Sequence, residues 1–90
     1  MYSIIYTNKF KKDYKRCLSR NYNIGKLQSL IKSLMNTGTV PTENRSHKLS
    51  GDYQDIMECH IESDWLLLWF RYDADNNIEL VRTGTHSDLF

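Results

Sequence analysis

The stretch from Trp65 to Tyr72 constrains the fold of this chain more than any other segment. Its eight residues read WLLLWFRY, so apolar side chains occupy both alternating sets of positions along most of its length. Apolar residues on both faces are typical of a central strand that other elements cover on two sides. The sequence therefore predicts a sheet that contains this strand, with Trp65 and Trp69, which share one face, in the core.

Three further stretches are predicted to be strands. Residues 2–6 are β-branched and aromatic, and residues 53–61 alternate imperfectly between apolar and polar side chains. The polar residues 73–77 could close a hairpin between the central strand and a last strand at residues 78–82.

Two helices are predicted between the first and second strands. The first follows Thr7 or Asn8 as its N-cap, and apolar residues then recur at i, i+4, i+7 and i+8. Those residues are Phe10, Tyr14, Cys17 and Leu18. The second shows a cleaner helical period from about Ile24 to Asn36, with Asn23 as a candidate N-cap and Gly38 placed to end it. The helices are expected to pair as a hairpin and to lay their apolar stripes on the sheet.

Length and composition fit a single soluble domain. Ninety residues, 40% of them hydrophobic and 26% charged, suffice for one α+β domain over residues 1–90 with the element order β-α-α-β-β-β. No apolar run approaches the roughly 20 residues that span a membrane, and the first residues lack the pattern of a secretory signal. Cys17 and Cys59 have no metal-ligand spacing, so we interpret them as reduced core thiols of a cytoplasmic protein.

Charge is unevenly distributed along the chain. The net charge is +1, but residues 1–48 hold ten lysines and arginines against two acidic residues, a net +8, while residues 49–90 hold two against nine, a net −7. This asymmetry indicates a basic face for a polyanion, although two solvated faces that happen to differ would give the same counts. The first predicted helix supplies much of the basic charge through Lys9, Lys11, Lys12 and Lys15.

Polar groups gather at the ends of the predicted strands. His60 and Asp64 flank one predicted turn. The last nine residues, 82–90, contain few apolar side chains, so His86 and Phe90 are expected to extend past the edge of the sheet. If the hairpins close as predicted, the chain end can return beside His60 and Asp64.

A loop is predicted at residues 39–52, where hydrophobic periodicity is lost. It carries Arg45, His47 and Lys48. Loops held by a rigid scaffold are a common place for binding groups. The loop therefore adds a third histidine to the candidate site and two cations that could contact an RNA backbone.

RNA cleavage near neutral pH needs little more than these side chains. A base takes the proton of a 2′-hydroxyl that attacks the adjacent phosphorus, an acid protonates the leaving 5′-oxygen, and a cation stabilises charge on the phosphoryl oxygens. Imidazoles can act as base or acid around pH 7. Arg82 would be the cation, and Phe90 could stack on a splayed base. This chemistry requires neither a metal nor another cofactor.

A metal site is the competing interpretation. His60, Asp64 and His86 could form a two-histidine, one-carboxylate set, but the first two are separated by a turn and do not share a helix face. A Ser-His-Asp triad is less favoured, since the sequence has no Gly-x-Ser-x-Gly stretch.

Three separated strings point to a family. They are HKLSG at residues 47–51, ECHIESDWLL at residues 58–67 and RTGTHSDLF at residues 82–90. In this order, and over essentially the whole chain, they resemble the YafQ branch of the RelE-type toxins, the endoribonuclease halves of bacterial type II toxin-antitoxin pairs. The resemblance implies a small microbial RNase fold, with two helices packed on a twisted, mainly antiparallel sheet.

The resemblance also implies an activity, partners and a site. Toxins of this branch cut messenger RNA without a metal, generally in the ribosomal A site. A cognate antitoxin blocks the site, and the complex represses its own operon, so operator DNA is bound only through the complex. By motif position, the functional residues are His47, His60, Asp64, His86 and Phe90, with Arg82 as the arginine of the terminal motif. Asp64 would set the protonation of its neighbours or act as base, and one of His60 and His86 would be the acid.

The resemblance gives the basic helix two uses. Its four lysines could hold ribosomal RNA phosphates, or they could bind an acidic antitoxin segment. The alternative function is a binding module without turnover, which serves only as antitoxin partner and co-repressor. Retention of all four candidate chemical groups favours the endoribonuclease.

Overall fold

A computed structural model describes residues 1–51 and 55–90 of the chain. These residues form five strands, three helices and one 3-10 turn. In chain order the elements are β1 (Ser3–Tyr6), α1 (Asn8–Ser19), α2 (Ile24–Thr37), the 3-10 turn (Thr42–Asn44), β2 (His47–Lys48), β3 (Met57–Glu62), β4 (Trp65–Tyr72), β5 (Asn77–Gly84) and α3 (His86–Leu89).

The strands form one mixed sheet in the order β1-β5-β4-β3-β2. β1 pairs with β5 in parallel, and every other pair of neighbours is antiparallel. The predicted central strand has the bounds expected of it and lies in the middle of the sheet, with Trp65 and Trp69 buried. The α+β class and the order of the predicted elements are confirmed, and β2, the 3-10 turn and α3 are added to them.

Two apolar clusters lie on opposite faces of the sheet. The larger joins α1 and α2 to the sheet, and its most buried members include Phe10, Leu27, Leu34, Trp69 and Leu80. The smaller, here called the second cluster, is built from Ile56, Leu66, Leu68 and Leu89. Successive residues of a strand point to opposite faces, so the second cluster marks the face turned away from α1 and α2.

The ends of the two long helices have local causes. The hydroxyl of Thr7 accepts a hydrogen bond from the backbone N–H of Phe10 at 3.1 Å and caps α1. Gly38 ends α2 in the left-handed region, with φ of 75°, as predicted. A Cβ at this position would also lie 2.5 Å from the Tyr2 ring. Glycine is therefore favoured at position 38 for two reasons: the backbone is left-handed there, and the Tyr2 ring leaves no room for a side chain.

Helix α1 buries Phe10 and Cys17 as predicted, but the buried face differs from the predicted stripe at two positions. Leu18 was expected in the apolar stripe but is 50% exposed, whereas Asp13 is only 2% exposed. The reason is that α1 packs against the end of β5, where Arg82 and the backbone of Thr83 bind the Asp13 carboxylate. At the start of α2, Asn23 is at the N-cap position as predicted, but its side chain makes no capping hydrogen bond.

The region predicted as a loop at residues 39–52 contains β2. His47 and Lys48 pair with Glu58 and Met57 of β3, so the prediction that His47 lies in a loop was wrong. The next strand was predicted at residues 53–61 and is found at Met57–Glu62. Residues 52–54 lie outside the described residues, and so does the start of that predicted strand.

The chain end was expected to extend past the edge of the sheet, but it folds back instead. Residues 86–89 form α3, and its Leu89 is buried in the second cluster. The physical cause lies in Thr85 and Asp88, whose side chains cap each other's backbone in a capping box. The terminal residues are thereby folded back over the sheet face that carries the second cluster.

The two cysteines are buried and free, as predicted. Burial, with a smaller contribution from the charge of Glu58, raises the pKa of the Cys59 thiol to about 12. Among residues 1–51 and 55–90, the longest helices are too short and too polar to cross a membrane.

Candidate active site

Helix α3 places His86 just beyond the end of β5. The Thr85 hydroxyl accepts the backbone N–H of Asp88 at 3.1 Å, and the Asp88 carboxylate accepts the backbone N–H of Thr85 at 2.9 Å. His86 is the first residue of the helix, so this capping box sets the position of its backbone. A single helical turn is not stable alone, and α3 depends on these bonds and on buried Leu89.

His86 and Asp64 form a carboxylate–histidine pair. Oδ1 of Asp64 lies 2.6 Å from Nδ1 of His86 and also accepts the backbone N–H of His86 at 3.0 Å. These bonds, the backbone one first and the imidazole one second, lower the pKa of Asp64. Since a carboxylate only accepts, Nδ1 carries a proton, which directs Nε2 away from Asp64. Both side chains are more than half exposed, so Nε2 can reach a substrate.

His60 lies beside this pair. Its ring centroid is 6.1 Å from that of His86, and the Asn44 side chain fixes its backbone by donating to the carbonyl oxygen at 2.8 Å. The buried Nδ1 of His60 has no hydrogen-bond partner among the described residues. Buried polar atoms without partners are unusual in folded proteins, and here the atom belongs to an imidazole next to a second imidazole.

His47 is held by a second carboxylate. Its Nε2 lies 3.2 Å from Oε1 of Glu58, and its Nδ1 lies 3.3 Å from the carbonyl oxygen of Arg45. The Glu58 side chain is 7% exposed, whereas His47 is 51% exposed. Glu58 and His60 are two residues apart in β3, so both point to the face of the second cluster.

Glu58 was missed as a site residue by sequence reasoning. The usable signal was its strand parity, which puts this charged side chain on the same face as His60. What could not be read locally was its partner, because His47 reaches Glu58 only through the β2–β3 pairing.

Arg82 is anchored by a buried carboxylate. Its Nε donates to one Asp13 oxygen at 2.6 Å and its Nη2 to the other at 3.2 Å. The backbone N–H of Thr83 donates to the same carboxylate at 3.1 Å. Bidentate pairs of this kind fix a guanidinium in orientation as well as in position. Sequence reasoning also missed Asp13, because its partners are about seventy residues away.

The remaining predicted site residues are exposed at the surface. Phe90 is 55% exposed and follows α3 directly. The six predicted backbone-binding cations are exposed on α1 and at β2: Lys9, Lys11, Lys12, Lys15, Arg45 and Lys48. Residues 1–51 and 55–90 contain no group of three histidine, cysteine, aspartate or glutamate side chains placed to hold a metal ion.

The structure thus brings His60, Asp64 and His86 together and places His47 with Glu58 on the same face of the sheet. Comparison with protein families gives a match over residues 2–90 to the family of YafQ, bacterial toxins of type II toxin-antitoxin systems. This chain belongs to the YafQ toxin family. The resemblance noted from the sequence is confirmed.

Relatives of this YafQ-family chain match it from end to end. The mRNA interferase toxin YafQ of Escherichia coli K12 is 33% identical over 88 residues, which is 97% of this chain and 94% of that protein. The YafQ chain in the crystal structure of the E. coli DinJ–YafQ complex superposes with a TM-score of 0.89 at 31% identity, with 100% and 99% of the two chains covered.

A second solved relative comes from another organism. The metal-bound toxin of Helicobacter pylori superposes with a TM-score of 0.91 at 31% identity and full coverage of both chains. The YafQ fold is therefore shared over the whole length of the present chain.

Proposed function

We propose that this chain is an mRNA interferase, an endoribonuclease toxin that inhibits translation by cutting messenger RNA. The observation that carries the proposal is the exposed Asp64–His86 pair, in which the ring centroid of His86 lies 6.1 Å from that of His60. Support comes from the 33% identical E. coli relative, which is itself an mRNA interferase toxin. The expected place of action is the ribosomal A site, in the cytoplasm.

In the proposed reaction His60 and His86 supply the base and the acid. One takes the proton from the 2′-hydroxyl as it attacks phosphorus, and the other protonates the leaving 5′-oxygen, without a metal. Asp64 acts chiefly by orienting His86, because a carboxylate with a lowered pKa is a weak base.

Three further residues support the reaction. His47, held by Glu58, brings a third imidazole to the same face. Arg82, fixed by Asp13, stabilises charge on the phosphoryl oxygens. Phe90 stacks on a base next to the cut.

The proposal is tested by incubating the purified chain in EDTA with a short messenger RNA, with and without programmed ribosomes, and mapping the ends by primer extension. Discrete cuts are expected. His60→Ala and His86→Ala should each slow cleavage by about 10² to 10⁴-fold, since each removes one proton-transfer group. Their melting temperatures should stay close to that of the wild type, because His86 is exposed and His60 is only partly buried.

Asp75→Ala is the matched control, since Asp75 is exposed and lies in the turn before β5. It should cleave like the wild type. Full activity in a folded His86→Ala protein would overturn the assignment of His86. Loss of cleavage in EDTA would overturn the metal-free mechanism, a relevant outcome because the H. pylori relative was crystallised with a metal bound. No cuts by a folded wild type under either condition would favour the binding module.

The proposed protein partner is an antitoxin, by analogy with DinJ in the E. coli toxin-antitoxin complex. A groove of about 680 Å³ runs between β1, α1 and α2. Its lining includes the apolar side chains of Leu18, Ile31 and Met35, with Lys11, Lys15 and Lys32 beside them. Such a surface suits an amphipathic segment with acidic residues. Any contact of this toxin with operator DNA would be made through that complex.

A further inference from the structure

Helix α3 is tied to the far end of α1 by an ion pair. Arg20, the C-cap residue of α1, donates from Nη1 to Oδ2 of Asp88 at 2.7 Å and from Nη2 to Oδ1 at 3.2 Å. Arg16 adds a weaker contact to Oδ1 at 3.8 Å. The Asp88 side chain is only 13% exposed, and the bonds from Arg20 hold the pKa of its carboxyl well below the usual range. The Asp88 carboxylate is therefore ionised and bound to the Arg20 guanidinium.

Asp88 is also the residue that caps α3. The same Oδ2 that binds Arg20 accepts the backbone N–H of Thr85 at 2.9 Å. A Cβ at position 84 would lie 2.9 Å from that oxygen, and Gly84 has φ of 154°. Only glycine at position 84 leaves room for the carboxylate. One oxygen thus joins the start of α3 to the end of α1, and His86 lies next to Thr85 in the chain.

Arg20 is in turn connected to the other half of the Asp64–His86 pair. Its guanidinium lies 5.9 Å from the centre of the Tyr22 ring, and Nη1 is 3.4 Å from the Tyr22 hydroxyl. Tyr22 packs on Trp65 with ring centroids 4.8 Å apart. Trp65 is buried and directly follows Asp64. The contacts of Arg20 therefore lead to the chain neighbours of both members of the pair: Thr85, which precedes His86, and Trp65, which follows Asp64.

We propose that Arg20 is a positioning residue for the proposed nuclease site, holding His86 against Asp64 through Asp88 on one side and through Tyr22 and Trp65 on the other. The proposal rests on the function proposed above. A one-turn helix does not hold its own position, and a shift of about 1 Å in a reacting group can cost about 10²-fold in rate. An exposed arginine outside the reacting groups would then control the geometry of the reaction.

The test compares four variants under the conditions in which the wild type cleaves messenger RNA. Arg20→Ala should lower kcat by about ten- to a hundredfold, with KM changed by less than about threefold. Arg20→Lys should recover part of the loss, because it keeps the charge but not the two-pronged contact. Asp88→Asn keeps an oxygen that can cap Thr85 but weakens the ion pair, and it should also lower kcat.

Arg71→Ala is the matched control. Arg71 also binds an aspartate, Asp73, and also lies over a tyrosine, Tyr2 at 5.5 Å, but it is at the opposite end of β4 from Asp64. This variant should keep the wild-type kcat. If Arg20 instead contacts RNA, Arg20→Ala will raise KM and make KM less dependent on salt concentration, while Asp88→Asn stays fully active. That pattern would overturn the proposal.

A second measurement does not depend on cleavage. Amide hydrogen exchange by NMR should show that residues 86–89 lose protection in Arg20→Ala and keep it in Arg71→Ala. Unchanged protection in both variants would overturn the proposed role of Arg20, whatever the kinetics show. If the wild type cuts no RNA, the proposed function fails, and the exchange experiment still decides whether Arg20 positions α3.

Discussion

At the scale of single residues, the candidate site consists of imidazoles hydrogen-bonded to carboxylates. Asp64 orients His86, and Glu58 orients His47, while His60 lies beside His86. The two carboxylates differ in exposure, since Glu58 is almost fully buried and Asp64 is mostly exposed. The position and the pKa of Asp64 are therefore set by its hydrogen bonds to His86, and the stability that these bonds contribute should vary with pH.

Asp64→Asn should show this dependence. The folded state lowers the pKa of Asp64 below its ordinary 3.8 through the two bonds from His86. A lowered pKa stabilises the fold above the unfolded pKa, and this contribution is lost as pH falls through the folded pKa. The wild type should melt at a higher temperature than Asp64→Asn near neutral pH, and the two melting temperatures should converge as pH falls through the lowered, folded-state pKa of Asp64.

Differential scanning fluorimetry between pH 2 and 7 would measure this convergence. Asp75→Asn is the control, because Asp75 is exposed and no hydrogen bond to it is found within the described residues. Its melting curve should match the wild type throughout. A constant difference between wild type and Asp64→Asn down to the lowest pH would show that the ionised carboxylate is not the cause.

At the scale of elements, the end of α2 and the start of the chain are packed as one unit. Gly38 turns the backbone out of α2, and the ring of Tyr2 occupies the space where a side chain would be. The backbone N–H of Tyr2 also donates to the carbonyl of Met35 near the end of α2 at 2.7 Å. Tyr2, which directly precedes β1, is thereby bound to the end of α2.

Gly38→Ala should be markedly destabilising. The substitution adds the cost of a left-handed backbone at alanine, about 1 kcal/mol, to the cost of overpacking against Tyr2, for a loss of about 3 kcal/mol in the free energy of unfolding. Gly51→Ala separates the two effects, because Gly51 has φ of 69° but no atom within 4 Å of an added Cβ. That control should lose only about 1 kcal/mol in urea unfolding. Equal losses would mean that the Tyr2 ring moves aside without cost.

At the scale of the whole molecule, the uneven charge along the sequence is partly cancelled in space. Ion pairs between the basic and acidic parts of the chain join Lys26 to Glu62 and Arg20 to Asp88. No ion pair is found for the four lysines of α1 in the part of the chain that the structure describes. The basic helix predicted from the sequence is therefore an exposed cationic surface, although the protein as a whole is nearly neutral.

Replacing two of these lysines should weaken RNA binding and make the affinity for RNA less dependent on salt concentration. In an inactive His86→Ala background, Lys11→Gln with Lys15→Gln should lower the slope of log affinity against log salt by roughly 1.4, if each lysine meets one phosphate of single-stranded RNA. Filter binding of a short RNA at several salt concentrations measures the slope. Lys26→Gln is the control and should change it little, because Lys26 already binds Glu62. An unchanged slope in the double variant would place the RNA elsewhere.

The parts of the fold that could be predicted are those with a local cause. The start of α2 at Ile24 and its end at Gly38 follow from apolar spacing and from a residue that tolerates positive φ. The bounds of β4 follow from its apolar run. The parts that could not be predicted are set by distant partners: Asp13 is buried only because β5 supplies a guanidinium and an N–H, and His47 becomes a strand only by pairing with β3.

The same distinction applies to the candidate site. His60, Asp64 and His86 could be named from position in the sequence, and the structure places them together. Helix α3 was not predicted, because four residues are too few for a periodic signal and only the capping box identifies the turn. Glu58 and Arg20 could not be assigned because their roles exist only once the fold brings β2 to β3 and α1 to α3.

The parallel pairing of β1 with β5 has a consequence for synthesis of the chain. Residues 3–6 find their partners at residues 77–80, and the buried Asp13 finds its own at residues 82 and 83. A growing polypeptide cannot complete the sheet, or bind that carboxylate to Arg82 and Thr83, until β5 has left the ribosome. Contacts between such distant residues favour late, concerted folding. His86 follows β5 directly, so the chain gains its fold and its proposed active site nearly together, once β5 is free to pair.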